Sequence, residues 1–218
     1  MDFKSHLENA WHLTLKYIVS LLLMTLVMGV VGFITLGILA PVMMAGYIQS
    51  ILMMVRSGRE PKIQDLFSEM RLFLPLLAFG IVVAIASMIG FSILFLPGLV
   101  IVFGVTFACL YMLPLMTDRN FGLVDAVKES FRIVTGKDLM DHVIVTILFM
   151  GISAIGSSVF VGWLFTQPLA TIFLAGVYEE KVAGNTPAPP ASPSPPPETP
   201  EPGDDSPEEE EITLKYKM

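Results

Sequence analysis

The fold turns on residues 17–55, YIVSLLLMTLVMGVVGFITLGILAPVMMAGYIQSILMMV, a stretch of 39 residues with no Lys, Arg, Asp or Glu. As one helix it would be roughly 58 Å long at 1.5 Å per residue. That is nearly twice the ~30 Å hydrocarbon core of a bilayer. The stretch must turn back, and Gly37 and Pro41 mark the place, because proline cannot continue a helix entered from within. Two more blocks free of these four residues lie outward of it, from Arg71 to Asp118 and from Asp141 to Glu179. The first of these turns at Pro97 and Gly98, the second between Gly162 and Pro168. Uncharged apolar runs of this length point to membrane spans. The pattern predicts an all-α polytopic transmembrane helical bundle, residues 1–181. It has six spans, at about 17–36, 40–55, 73–95, 98–116, 142–161 and 163–179. The returning helices 40–55 and 163–179 are short for a full crossing, so re-entrant hairpins are the alternative.

Composition agrees. The chain is 54% hydrophobic and 15% charged, against about 25% charge in soluble domains, which excludes a soluble globular class. The net charge of −7 is local. Residues 182–218 hold eight acids and two lysines, so the tail carries −6 and the body −1. No basic stripe with interleaved aromatics is present, so nucleic acid is not an expected partner. Cys109 is the single cysteine, which excludes an intrachain disulfide and reads as a small hydrophobe within a span. Asp2 and Glu8 argue against a secretory signal at the start.

Orientation follows from the basic residues. Lys4 and Lys16, then Arg56, Arg59, Lys62 and Arg71, then Arg119, Lys128, Arg132 and Lys137, then Lys181 all lie on one side of the predicted spans. The hairpin tips carry none. The positive-inside rule places that side, and both termini, in the cytoplasm of a bacterial inner membrane. Trp11, Tyr17 and Tyr178 fall near that interface and Trp163 near the other, as an aromatic belt requires.

Each hairpin follows a short amphipathic segment. In the third, Phe121, Val124, Val127, Phe131 and Val134 recur at helical spacing opposite Asp125, Lys128, Glu129 and Arg132. In the second, Ile63, Leu66, Phe67, Met70 and Leu74 line up against Gln64, Asp65, Ser68 and Glu69. In the first, Phe3, Leu7, Ala10 and Trp11 face away from Lys4, Glu8 and Asn9. Amphipathic segment, span, turn and span are thus written three times, as quasi-repeats at about 3–55, 61–116 and 121–180. Such segments either lie on the cytoplasmic leaflet as lipid-contacting helices or serve as structural collars. The Pro-rich acidic tail, 182–218, has no means of burying a core and is expected to be disordered. Its end, from Ile212 to Tyr216, alternates like a strand and offers an edge to a cytoplasmic partner.

Chemistry-bearing clusters are sparse. Asp138, Asp141 and His142 share one helix side, a candidate metal set of hard oxygens and one imidazole. The competing reading is helix-end chemistry, with carboxylates at a helix N-terminus. No Ser-His-Asp arrangement, phosphate loop or H-E-x-x-H motif is present, and no cofactor or catalytic residue is expected. The spans hold no acid or base away from their ends, which argues against an ion-coupled carrier.

Several short features together carry a resemblance. They are Pro41 with Gly46, RSGREP at 56–61, DLF at 65–67, LPG at 96–98, DAVKES at 125–130, and Pro168 with Tyr178. Over residues 5–180 the chain resembles uncharacterised bacterial six-helix integral membrane proteins. These are similar to the membrane domain fused to some glycerophosphoryl diester phosphodiesterases. The resemblance implies a six-helix membrane domain. The diesterase chemistry belongs to a separate soluble domain and is not expected here. The expected function is non-enzymatic, organising lipid or binding a partner at the cytoplasmic face. The alternatives are a passive channel for lipid-like or small solutes and, behind it, an intramembrane hydrolase.

In a Cys109→Ala background, cysteines at Thr35 or Thr166 are expected to be labelled from outside the cell, and those at Ser57 or Ser130 are not. Labelling of Ser57 from outside would overturn the orientation.

Overall fold

The computed structural model describes residues 3–183 except 137, 158 and 159. The acidic tail from residue 184 onward therefore lies outside the described residues. Helices α1 Phe3–Lys16, α2 Ile18–Ile34 and α3 Ala40–Ser57 form the first unit. The second has two 3-10 turns, Ile63–Phe67 and Met70–Leu72, then α4 Phe73–Ile93, α5 Phe95–Ala108 and α6 Met112–Asp118. The third has α7 Leu123–Val134, α8 Leu139–Ser157 and α9 Phe160–Tyr178, closed by a π-turn at Glu179–Ala183. No strand occurs among the described residues.

Three stretches are long and apolar enough to cross a membrane: Ile63–Ile93, Phe95–Asp118 and Leu139–Gly156. A fourth is added if Lys4–Lys16 and Ile18–Ile34, bent by 87°, count as one broken span. The bend falls at Tyr17, whose hydroxyl donates to the Gly58 carbonyl at 2.8 Å and ties the corner to the end of α3. Beyond it, α1 packs Ala10 and Thr14 inward and leaves Leu7, Trp11 and Leu15 exposed.

Two helices lie inside the others. α3 buries ten residues from Val42 to Met54, and α9 buries Ala170 through Ala175 together with Val177 and Tyr178. Both carry polar side chains in mid-course, Ser50 on α3 and Gln167 and Thr171 on α9. The outer helix α4 is largely apolar and exposes Ile81, Val82, Ile85, Met88 and Ile89. A helix covered by protein can carry polar groups that lipid would reject.

The first turn lies where Gly37 predicts, with a particular geometry. Leu36 (φ 52°) and Gly37 (φ 81°) are both left-handed. The Gly37 N–H donates to the Gly32 carbonyl at 2.7 Å, and the Leu36 N–H to the Phe33 carbonyl at 3.2 Å. This is a Schellman closure with Leu36, not glycine, at the left-handed position. Pro41 sits in the first turn of α3, where its missing N–H is not needed.

The second turn is a single extended residue, Leu94, between α4 and α5. Pro97 falls in the first turn of α5, and Gly98 makes the contact: a Cβ there would overlap the Phe91 ring. Gly90 on α4 faces Gly98 so closely that its Cβ would come 3.0 Å from the Gly98 Cα.

Two expectations need correction, and a third is met with a difference. The predicted span 98–116 lies within the apolar helical stretch Phe95–Asp118, with a turn at residues 109–111 inside it. Pro114 in the first turn of α6 has no N–H to give to the preceding turn, and the Tyr111 N–H turns to Ser130 Oγ on α7 at 3.1 Å. The segment before α4 is not an amphipathic α-helix. Asp65 accepts from the Lys62 N–H at 3.1 Å, and the Ser68 N–H reaches back only three residues to the Asp65 carbonyl, so the chain winds tightly. Leu66 is buried there against α3, where a Cβ on Gly46 would meet the Leu66 carbonyl oxygen at 2.6 Å. Pro168, finally, lies inside α9 and not at a turn. Gly162 is in the first turn of that helix, close to Gly156 of α8. Thr166 is likewise inside α9 and packed on Gly156, and Ser130 is buried. The labelling comparison therefore rests on Thr35 and Ser57.

Gly98→Leu should lower the thermal transition of the purified protein by far more than Pro97→Ala. Overpacking costs about 1–3 kcal/mol, whereas Pro97 is exposed. Equal losses for the two variants would count against the close α4–α5 approach.

Candidate functional site

The return helix of each unit ends on one ionic residue. α3 ends beside Arg56, α6 on Asp118, and α9 runs into Glu179. The three meet. Arg56 presents two guanidinium nitrogens to Asp118, with Nη2 to Oδ2 at 2.9 Å, and its Nε donates to Glu179 at 2.7 Å. The Tyr178 hydroxyl donates to the same Asp118 carboxylate at 2.9 Å. The planar fork of arginine suits this arrangement, since one group serves two carboxylates. Hydrogen bonding to Asp118 raises the pKa of Arg56 still further above its ordinary value, so this pin holds its charge at any working pH.

A second ionic pair of links lies beside the first. Lys181, in the π-turn, donates to Asp138 at 2.6 Å and to Asp141 at 3.1 Å. These contacts, Asp138 first, raise the lysine pKa. His6 of α1 pairs with Glu180. The start of α1, the start of α8 and the end of α9 are therefore joined.

This accounts for the sequence candidates. Asp138 and Asp141 do come together, but around Lys181. His142 is buried, and its Nδ1 lies 2.9 Å from the Tyr111 hydroxyl. The rings meet edge-on at 5.5 Å, and Tyr111 touches Tyr178 at 6.2 Å between ring centres. No group of three His, Cys, Asp or Glu side chains able to hold a metal occurs among the described residues. A lysine ammonium occupies the position that the metal reading would give to a cation.

Sequence reasoning missed Arg56, Asp118, Tyr111, Ser130 and Tyr178 as partners. The signal was present: Arg56, Asp118 and Glu179 are the residues that end the three charge-free blocks.

Further in, hydroxyls bond their own helices. Thr25 donates to the Leu21 carbonyl, Thr106 to Val102, Thr146 to His142 and Thr171 to Gln167, each at 2.8 Å. Gln167 donates to Met44 Sδ at 3.4 Å and to Thr171 Oγ1 at 3.3 Å. Gln49 Oε1 and Arg59 Nε are buried without a partner among the described residues. The arrangement supports a pinned helix bundle.

No protein-family model, curated protein or solved structure matches the chain.

Arg56→Met should destabilise the bundle by about 1.5–3 kcal/mol, the range for a hydrogen bond to a charged group, read as a lower melting temperature in detergent. Arg56→Lys should recover only part of it, because an ammonium is not a two-pronged donor. A melting temperature unchanged in Arg56→Met would remove the pin from the account.

Proposed function

We propose that the protein is a non-enzymatic, six-span protein of a bacterial inner membrane, with both termini cytoplasmic, that organises lipid or a partner protein at the cytoplasmic face. The carrying observation is α7. Its Ala126, Ser130 and Val134 face inward, while Val124 and Phe131 are exposed beside exposed Lys128 and Arg132. An apolar ledge next to basic side chains suits the boundary between acyl chains and anionic headgroups. The exposed Leu7, Trp11 and Leu15 of α1, flanked by Lys4 and Lys16, repeat the pattern. The six-span reading extends the apolar stretches with the sheltered α3 and α9. The basic joining segments support its orientation, and it agrees with the family resemblance.

A passive channel is the rival reading. It needs a polar path, and the inward hydroxyls described above are instead bonded to their own helices, with Gln167 packed on Met44 and Thr171. That favours the organising role. The acidic tail adds a means of presentation. The segment it would present, from Ile212 to Tyr216, lies outside the described residues.

Deleting residues 185–218 should leave the thermal transition unchanged and remove a protein that co-purifies with the full chain in native lipid. Vesicles containing the full chain should leak glycerol no faster than empty ones. A tail deletion that lowers the melting temperature would end the presentation idea. Glycerol flux above the empty-vesicle rate would favour the channel.

A further inference from the structure

We infer that the α2–α3 hairpin turns inside the hydrocarbon of the membrane and presents its tip to lipid acyl chains, without reaching water on the far side. This rests on the membrane reading above and refines one hairpin of it: both termini stay on one side, and the first turn does not emerge.

The tip exposes its largest side chains. Phe33 is 85% exposed, Ile34 72% and Leu36 89%. No Lys, Arg, Asp or Glu lies between Lys16 and Arg56, and the hydroxyl of Thr35 donates back to the Val31 carbonyl at 2.8 Å. A turn in water favours polar residues, and its left-handed position favours Gly, Asn or Asp. Here Leu36 takes that position, at φ 52°. The backbone points the same way, because every N–H from Thr35 to Ala40 has an acceptor of its own. Those of Thr35, Leu36 and Gly37 donate to the Val31, Phe33 and Gly32 carbonyls at 2.9, 3.2 and 2.7 Å. Those of Ile38 and Ala40 donate to the Thr35 and Gly37 carbonyls at 3.0 and 3.1 Å, and that of Leu39 reaches Thr35 Oγ1 at 3.5 Å. Pro41 follows with no N–H to satisfy. Water or a partner protein could supply acceptors to a turn, but acyl chains cannot. A turn that closes its own donors and exposes apolar side chains fits hydrocarbon.

Length agrees. Arg56 and Asp118 are in contact, so α3 and the stretch Phe95–Asp118 leave the ionic junction at one level. At 1.5 Å per residue, α3 rises about 24 Å from Arg56 to Ala40, and the other stretch about 34 Å from Asp118 to Phe95. The first tip therefore stops about 10 Å short of the second. Phe95–Asp118 is long and apolar enough to cross a membrane, whereas α3 is not, and α2 qualifies only when joined to α1 across the 87° bend. A hairpin too short for a bilayer either thins it or stays below its surface. The closed apolar turn selects the second.

The test uses the full chain with Cys109→Ala and a nitroxide on Phe33→Cys, in vesicles of phosphatidylethanolamine and phosphatidylglycerol. Collisions with oxygen, which dissolves in hydrocarbon, should be frequent, and collisions with a water-soluble nickel chelate should be lost. A nitroxide on Leu94→Cys, at the second tip, should keep the nickel collisions. In cells, an impermeant maleimide should label Leu94→Cys from outside. It should leave Phe33→Cys unlabelled until detergent dissolves the membrane. This replaces the labelling expected at Thr35 from the sequence. Nickel collisions at Phe33→Cys, or its labelling from outside, would place the tip in water. Few collisions with either reagent would mean that protein covers it, and equal protection of Leu94→Cys would remove the difference in length. Each of these results would overturn the inference. Labelling of Ser57 from outside would overturn the orientation instead, and the collision result would stand.

Discussion

One guanidinium holds the exits of three hairpins. Arg56 closes α3, and its partners close α6 and α9, 62 and 123 residues further along the chain. Local helix formation cannot specify contacts of that separation, so something must select them. Charge does so here. A membrane helix tolerates ions only at its ends, and each return helix carries an ion there. Once the three exits are at the same level, the attraction in a partly water-free junction is stronger than in bulk solvent. The side chain of Asp118 is only 13% exposed, so leaving it unpaired costs more than pairing it gains. The registry of the bundle follows from that asymmetry.

The division between inner and outer helices follows from the same constraint. Hydrophobicity does not draw helices together in lipid, because tails are as apolar as leucine. Packing and polar links must do it. α3 and α9 carry the polar links, through Arg56 and Glu179 at one end and Met44 and Gln167 further in. They are covered, and α4, which carries neither, faces outward. Small residues complete the approach: Gly46 admits the turn at Leu66, and Gly90 meets Gly98. A Cβ on Gly104 would meet nothing within 4 Å, so not every helical glycine is a contact.

What could be read in the chain depends on range. The charge-free blocks, the turn at Gly37 and the amphipathic face of α7 are local, and all were legible. The turn at residues 109–111 was half legible, since Pro114 was visible but Ser130, the residue that accepts the freed N–H, lies 19 positions on. Pro168 misled because a proline inside a covered helix looks, in one dimension, like a proline at a turn. The segment at 63–72 has helical spacing, but Asp65 bonds the Lys62 N–H and winds the chain into a 3-10 turn. The triad was marked at the block ends without its pairing, because no local rule says which of several end charges meet.

The link between Ser130 and Tyr111 changes what α7 is. A backbone N–H released at membrane depth costs several kcal/mol if nothing accepts it. Ser130 accepts that of Tyr111, and the side chain of Tyr111 then lies against His142 and Tyr178. Tyr178 in turn donates to Asp118, the partner of Arg56. Contacts therefore run unbroken from the exposed ledge of Val124 and Phe131 to the ionic junction. A collar helix that only surrounded the bundle would not need a buried serine on its inner face. α7 is better described as a partner of the turn at residues 109–111, because its Ser130 accepts the Tyr111 N–H.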